Sequence, residues 1–233
     1  MIGRIIGIRI IKTAGSDDVA MIAGETESTM QDTTNIQYEN RKGMVYLVVD
    51  CSGSMDGYKI SQVKKGILEF AQEAMRKEYL VGLIKFDTSA ARLCEPTYDM
   101  ADLTASLDRM EAKGSTNMAA AITLAHEHLC DTKYARAMVI ATDGRPDRTQ
   151  SALQAGQSVK DDGIDIITIG TDDADLGFLK KLSTSSELGN KVPKEQFRKA
   201  IATAYLQLSE PERIFQSNPL SHELGRRLQY SGY

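Results

Sequence analysis

Val45-Tyr46-Leu47-Val48-Val49 is an unbroken apolar run, too hydrophobic to alternate, and it predicts a strand buried on both faces of a parallel sheet. Tyr79 to Phe86, Ala137 to Thr142 and Ile164 to Ile169 read the same way, while Arg92 to Glu95 is weaker and shorter and suits an antiparallel edge. Between these runs the period changes. Ile60, Val63, Ile67, Phe70, Ala71, Ala74 and Met75 make one apolar stripe over Tyr58 to Lys77, the signature of an amphipathic helix. Further helices are predicted over Leu103 to Met110, Met118 to Cys130 and Thr149 to Lys160, with a helical turn over Leu176 to Leu182. A last helix runs from Lys194 to Leu208, with Pro193 near its start, where a missing amide hydrogen costs little. Strands alternating with helices imply an α/β fold with a doubly wound, mostly parallel central sheet flanked by helices. The polar stretch Ser183 to Val192 carries only a weak strand signal, so the final sheet edge is the least marked element.

Outside this alternation lie two segments. Residues 1–43 form an N-terminal extension, a β-branched start that offers an edge strand and then a polar connector over Gly24 to Asn40. Residues 44–208 form the core domain, and residues 209–233, with Pro211, Pro219, Gly225 and Gly232, form a tail. A chain of 233 residues suits one good-sized domain with extensions. The net charge of −4 gives no general attraction to nucleic acid or anionic lipid. No apolar stretch approaches the length of a membrane span. Arg4 and Arg9 interrupt the amino terminus and no small-residue cleavage site follows, which argues against a secretory signal. The first fifteen residues hold basic and no acidic groups, as a transit peptide does, but they lack serine. Cys51, Cys94 and Cys130 are odd in number and widely spaced, which suits neither a disulfide framework nor a zinc site. Reduced thiols in a cytoplasmic protein are the expectation.

The chemistry sits at the ends of the predicted strands. Asp50-Cys51-Ser52-Gly53-Ser54 follows the first buried strand directly, placing a carboxylate and two hydroxyls where open α/β sheets bind ligands. Gly114-Ser115-Thr116-Asn117 is a polar break before a helix, and Thr142-Asp143-Gly144 ends a second buried strand. Together these segments resemble the von Willebrand factor A (vWA) domain family, whose DxSxS signature, threonine loop and second acidic position appear here in family order. The resemblance implies a Rossmann-like three-layer sandwich and a metal-ion-dependent adhesion site built from Asp50, Ser52, Ser54, Thr116 and Asp143.

That site implies Mg²⁺ or Mn²⁺, since such ions take oxygen ligands. By resemblance Ser52, Ser54 and Thr116 coordinate directly and the two aspartates act mostly through bound waters. Neutral direct ligands leave the cation's charge available to an Asp or Glu of another protein. The helices starting near Tyr58 and Met118 point their amino termini at the same crevice and favour an anion there. The function expected is therefore a non-enzymatic protein–protein interaction module, an intracellular adaptor whose partner belongs to an AAA+ ATPase or kinase/phosphatase system. The alternative is a metal-dependent hydrolase or phosphatase using the same aspartates. Against it, His126 lies about 12 Å into its helix, and no G-x-S-x-G elbow, P-loop or G-x-G-x-x-G occurs. Taken singly, the serines read as helix caps and the aspartates as loop anchors. His126 and His128 are two apart on a helix and cannot chelate one ion. Asp161-Asp162 and Thr171-Asp172-Asp173-Ala174-Asp175 lack the Gly and Glu of an EF-hand and read as helix-end and loop chemistry. Lys59 and Arg145 are expected at the crevice rim.

Overall fold

A computed structural model describes residues 8–10, 21–23, 43–130 and 134–209. Two units divide the chain, Met1–Arg41 and Lys42–Tyr233. In the first, β1 (Ile8–Ile10) and β2 (Met21–Ala23) pair antiparallel with each other. The polar connector and all of the tail beyond Ser209 lie outside the described residues.

The second unit holds the six-stranded sheet. Its elements in chain order are β3 (Gly43–Asp50), α1 (Tyr58–Arg76), β4 (Tyr79–Phe86), β5 (Ala90–Thr97), α2 (Met100–Leu107), α3 (Met118–Leu129), β6 (Ala135–Thr142), α4 (Thr149–Asp161), β7 (Asp165–Gly170), α5 (Leu176–Leu182), β8 (Gly189–Lys191) and α6 (Phe197–Thr203). The strand order is β5-β4-β3-β6-β7-β8. Only β5 runs antiparallel to its neighbour, with irregular register and Pro96 within it, as an edge strand tolerates. The architecture is the doubly wound α/β sandwich that the alternation predicts.

β3 shows why an apolar run without alternation means a central strand. Val45, Leu47 and Val49 enter one core, while Tyr46 and Val48 enter the other. The first core is closed by Val63, Ile67 and Phe70 of α1, Leu103 of α2 and Phe197 and Ile201 of α6. The second is closed by Met118 and Ile122 of α3, Ala152 and Val159 of α4 and Phe178 and Leu182 of α5. Each large side chain so buried contributes about 1.5–3 kcal/mol.

Several boundaries differ from the sequence pattern: β5, marked only over Arg92 to Glu95, extends over Ala90–Thr97, and β6 starts at Ala135. α2 starts three residues earlier than its apolar spacing suggests, because Asp99 caps it by accepting from Ala101 N at 2.7 Å. The last helix is a composite, with 3₁₀ turns at Lys194–Gln196 and Ala204–Gln207 flanking α6. The faint signal near residue 189 becomes β8, a three-residue strand parallel to β7.

The chain runs from β3 outward to β4 and β5, then returns to the other flank of β3 to begin β6. The order therefore reverses between β3 and β6. Their carboxyl ends open a crevice there, the place where open α/β sheets bind ligands.

Candidate functional site at the carboxyl ends of the central strands

Asp50 closes β3, and Asp143 follows the last residue of the neighbouring β6. Between them runs one chain of hydrogen bonds. Ser52 N donates to Asp50 Oδ1 at 2.8 Å, Ser52 Oγ and Ser54 Oγ lie 3.1 Å apart, and Ser54 Oγ donates to Asp143 Oδ1 at 2.9 Å. Thr142 Oγ1 donates to Asp50 Oδ2 at 2.6 Å. Asp50 and Asp143 are buried, at 0% and 2% exposure, and Ser54 is exposed, so the chain leads from the core to solvent.

The third segment is laid against the first by its backbone. Lys113 N donates to Cys51 O at 2.7 Å and Gly53 N donates to Gly114 O at 3.1 Å. Gly114 must be glycine here: its φ is +74°, and a Cβ would stand 2.4 Å from Thr88 Oγ1. Thr116 is held through its main chain, with its N–H on Asp147 Oδ2 at 3.1 Å and its carbonyl accepting from Met118 N and Asp147 N. Its hydroxyl stands outside the hydrogen-bonded chain that links the other four. The structure thus brings Asp50, Ser52, Ser54 and Asp143 into one network and lays the Thr116 loop beside it.

Burial pushes the Asp50 carboxyl above its ordinary range; bonds from Thr142 and Ser52 oppose this, and the charge of Asp143 adds to it. Lys59, expected at the rim, is instead drawn inward. Its ammonium bonds Asp143 Oδ2 and lies 3.1 Å from Asp172 Oδ2. Burial alone lowers the pKa of Lys59, but its bonds to Asp143 and Asp172 outweigh that and hold it above the ordinary lysine value. Arg145 does stay at the rim, 72% exposed and 3.5 Å from Asp175. Asp175 caps α5, accepting from Gly177 N at 2.8 Å and Phe178 N at 3.1 Å, in keeping with the helix-end reading of that acidic stretch. Beside the site is an open cleft of about 470 Å³ lined by Asp56, Tyr58, Lys59, Asp172, Lys194 and Glu195.

Thr142, Asp147 and Asp172 bond to residues of this site, although the motif did not single them out. Thr142 precedes the second aspartate and was legible as part of Thr-Asp-Gly; Asp172 lies in the acidic stretch read as loop chemistry, and Asp147 carried no local signal. The donor set fits a hard divalent cation. It is all oxygen, and its two buried carboxylates repel each other with Lys59 as the neutralising charge at hand. The amino termini of α1 and α3, capped by Gly57 and Asn117, both open on this end of the sheet.

Cys51, inside the first segment, is a core residue. It is fully buried, and burial pushes its thiol up to about 12. His126 and His128 lie in the last turn of α3, at the end of that helix away from the crevice.

A family model described as von Willebrand factor type A domain matches residues 45–204. Among solved structures, the pilus adhesin SpaC from Lactobacillus rhamnosus GG aligns with a TM-score of 0.65 and 15% identity, covering 72% of this chain and 30% of that one. Proximal thread matrix protein 1 from the mussel byssus aligns at 0.61 and 14%, covering 72% and 46%, and another of its structures is described with a zinc occupied MIDAS motif. BatB from Bacteroides thetaiotaomicron, described as a conserved hypothetical protein, aligns at 0.59 and 18%, covering 71% and 98%. Identities this low show the fold alone, and this chain spans less than half of the adhesin and of the byssus protein. No curated protein matches the sequence. Among the described residues no helix is long and apolar enough to cross a membrane.

Proposed function

This chain belongs to the von Willebrand factor type A domain family, and from that premise we propose that it is a non-enzymatic protein-interaction module that grips an acidic side chain of a partner through a divalent cation. Asp50, Ser52, Ser54, Thr116 and Asp143 would hold the ion, with Mg²⁺ or Mn²⁺ the species suited to an all-oxygen set. The ion would supply a positive centre for the partner's carboxylate. One observation carries the reading: the Asp50–Ser52–Ser54–Asp143 network joins two neighbouring strand ends at the point where strand order reverses, and leads from buried carboxylates to an exposed hydroxyl.

This chain's own residues do the rest. Thr142 and the Ser52 amide hold Asp50 in one orientation. The Gly53–Gly114 and Lys113–Cys51 backbone bonds hold the Thr116 loop beside the signature segment. Lys59 pairs with Asp143 and is the charge with which a divalent ion must share it. Tyr58, 52% exposed at the lip of the adjacent cleft, offers an aromatic contact to whatever delivers the acidic group.

The position of the histidines supports binding over catalysis. His126 pairs with Asp162 and His128 with Arg92, both at the far end of α3, so neither is a base for a metal-activated water. An AAA+ ATPase or a kinase/phosphatase system as source of the partner, and the cytoplasm as compartment, complete the proposal. The compartment rests on three cysteines that are odd in number and widely spaced along the chain. The pilus adhesin and the byssus matrix protein among the solved structures it resembles do not speak for it.

The test is recovery of a partner from lysate by the full chain. Recovery is expected with Mg²⁺ and lost with EDTA, with Thr116→Ala, and with the partner's acidic residue changed to its amide. A partner held equally in all three conditions uses another surface, and the metal-bridge reading fails.

A further inference from the structure

At the other end of α3 a second cluster forms from residues that lie outside the site described above. His126 and Cys130 are four apart, so they stand one above the other on the same face of the helix. Asp162, the C-cap that follows α4, meets them from the side. His126 Nε2 lies 2.7 Å from Asp162 Oδ2, Cys130 Sγ donates to the same oxygen at 3.5 Å, and the three ligand atoms all fall within 4.8 Å of one another. His126 is only 18% exposed and Asp162 53%, so the cluster is anchored on its inner side and open to solvent on its outer side.

We propose that His126, Cys130 and Asp162 form a second metal site that takes a thiophilic or borderline divalent cation, Zn²⁺ above all. The donor chemistry separates it from the first site. An imidazole nitrogen, a thiolate and one carboxylate oxygen are the ligand types of zinc, whereas the crevice offers only oxygen. The spacing fits as well. Zinc bonds of about 2.0–2.3 Å at the tetrahedral angle set neighbouring ligand atoms roughly 3.4–3.6 Å apart. The sulfur–oxygen separation of 3.5 Å already has that value. The nitrogen–oxygen separation of 2.7 Å is that of a hydrogen bond and must open by about 0.7 Å, a small rotation of an exposed carboxylate. Binding sends the thiol proton to solvent. Three protein ligands leave the fourth position to water or to a donor from outside.

The backbone favours a cation in the same place. Cys130 and Asp162 are the C-caps of α3 and α4, so two negative helix ends converge on the cluster. Arg136 spans them, donating to Asp162 O at 2.6 Å and to Cys130 O at 3.4 Å. It holds the two ligand-bearing ends in register by bonding their carbonyls and leaves the Asp162 carboxylate to the other two ligands. Its charge lowers the affinity somewhat. α3 has twelve residues and starts beside the crevice, so the two sites are separated by about 18 Å along its axis.

The experiment titrates the full-length chain with Co²⁺ as the spectroscopic stand-in for Zn²⁺, in excess Mg²⁺ to occupy oxygen sites. A thiolate-to-cobalt charge-transfer band is expected, with Zn²⁺ displacing the cobalt. Cys130→Ser should abolish the band, and His126→Ala and Asp162→Asn should each weaken Co²⁺ binding by about tenfold or more. Asp50→Asn should leave the band in place. A band that survives Cys130→Ser, or no band at all, overturns the proposal. A second readout needs no variant: Zn²⁺ should slow alkylation of Cys130 in the wild-type protein at least about tenfold, judged by peptide mass spectrometry. Alkylation at the same rate with and without Zn²⁺ also overturns it.

Discussion

Replacing Thr142 by Val tests the electrostatic account of the crevice most directly. The two side chains are nearly the same size, so packing between β6 and β3 is kept. What disappears is the 2.6 Å bond from Thr142 Oγ1 to Asp50 Oδ2, with both residues at 0% exposure. A hydrogen bond to a charged group contributes about 1.5–3 kcal/mol net, and more is lost when the acceptor stays buried. The expected loss at neutral pH is therefore about 1.5–3 kcal/mol, which for a domain of this size lowers Tm by roughly 3–12 °C. The sign of its pH dependence follows from Asp50. Burial raises its folded pKa above the unfolded value, so the folded state binds the extra proton between those two values. Ionised Asp50 thus costs stability that is absent below the unfolded value of about 3.9 and fully present above the raised folded value. Thr142→Val removes a contact that lowers this pKa, so it should cost most near pH 7 and progressively less toward the unfolded value of about 3.9, where the folded state holds the proton more firmly than the unfolded one. Urea unfolding of both proteins in chelator, at the two pH values, decides it. A loss under about 0.5 kcal/mol at pH 7, or the same loss at both values, refutes the reasoning.

Asp50→Asn keeps the shape of the site and removes its most desolvated charge, so calorimetry should find Mg²⁺ and Mn²⁺ affinity lowered at least about tenfold while Tm in chelator does not fall. Unchanged affinity would remove Asp50 from the metal account. Gly114→Ala meets both a φ of +74° and a Cβ position 2.4 Å from Thr88 Oγ1, so denaturant unfolding should show a loss of about 1–3 kcal/mol. Asp175→Ala strips the cap of α5 from Gly177 N and Phe178 N and should cost about 0.5–2 kcal/mol in the same assay. Phosphomonoester, phosphodiester and peptide substrates should turn over no faster with wild type than with Asp143→Ala; a metal-dependent activity lost in that variant would replace the binding reading with the hydrolase one.

Much of this molecule is written locally. Val45 to Val49 carries enough adjacent apolar area to demand burial on two faces, and Tyr58 to Arg76 repeats its apolar residues at the helical period, so type and order of elements follow from neighbours along the chain. Asp50-Cys51-Ser52-Gly53-Ser54 was legible for the same reason: its chemistry is compact and sits at a strand end. Boundaries were harder where a cap competes with periodicity, as Asp99 does at α2, and β8 was faint because three edge residues gain little from side-chain burial. Other features belong to the tertiary structure alone. Lys59 and Asp143 are 84 positions apart, and nothing near either residue says that an ammonium will neutralise that carboxylate. His126 and Cys130 become neighbours through helical geometry, but Asp162 joins them only because α4 packs on α3 and brings two helix ends together. Hydrophobic period acts over a few residues and can be read from them. Pairing of charges and ligands across the fold is set by which apolar faces pack together, and that is decided only when the whole core closes.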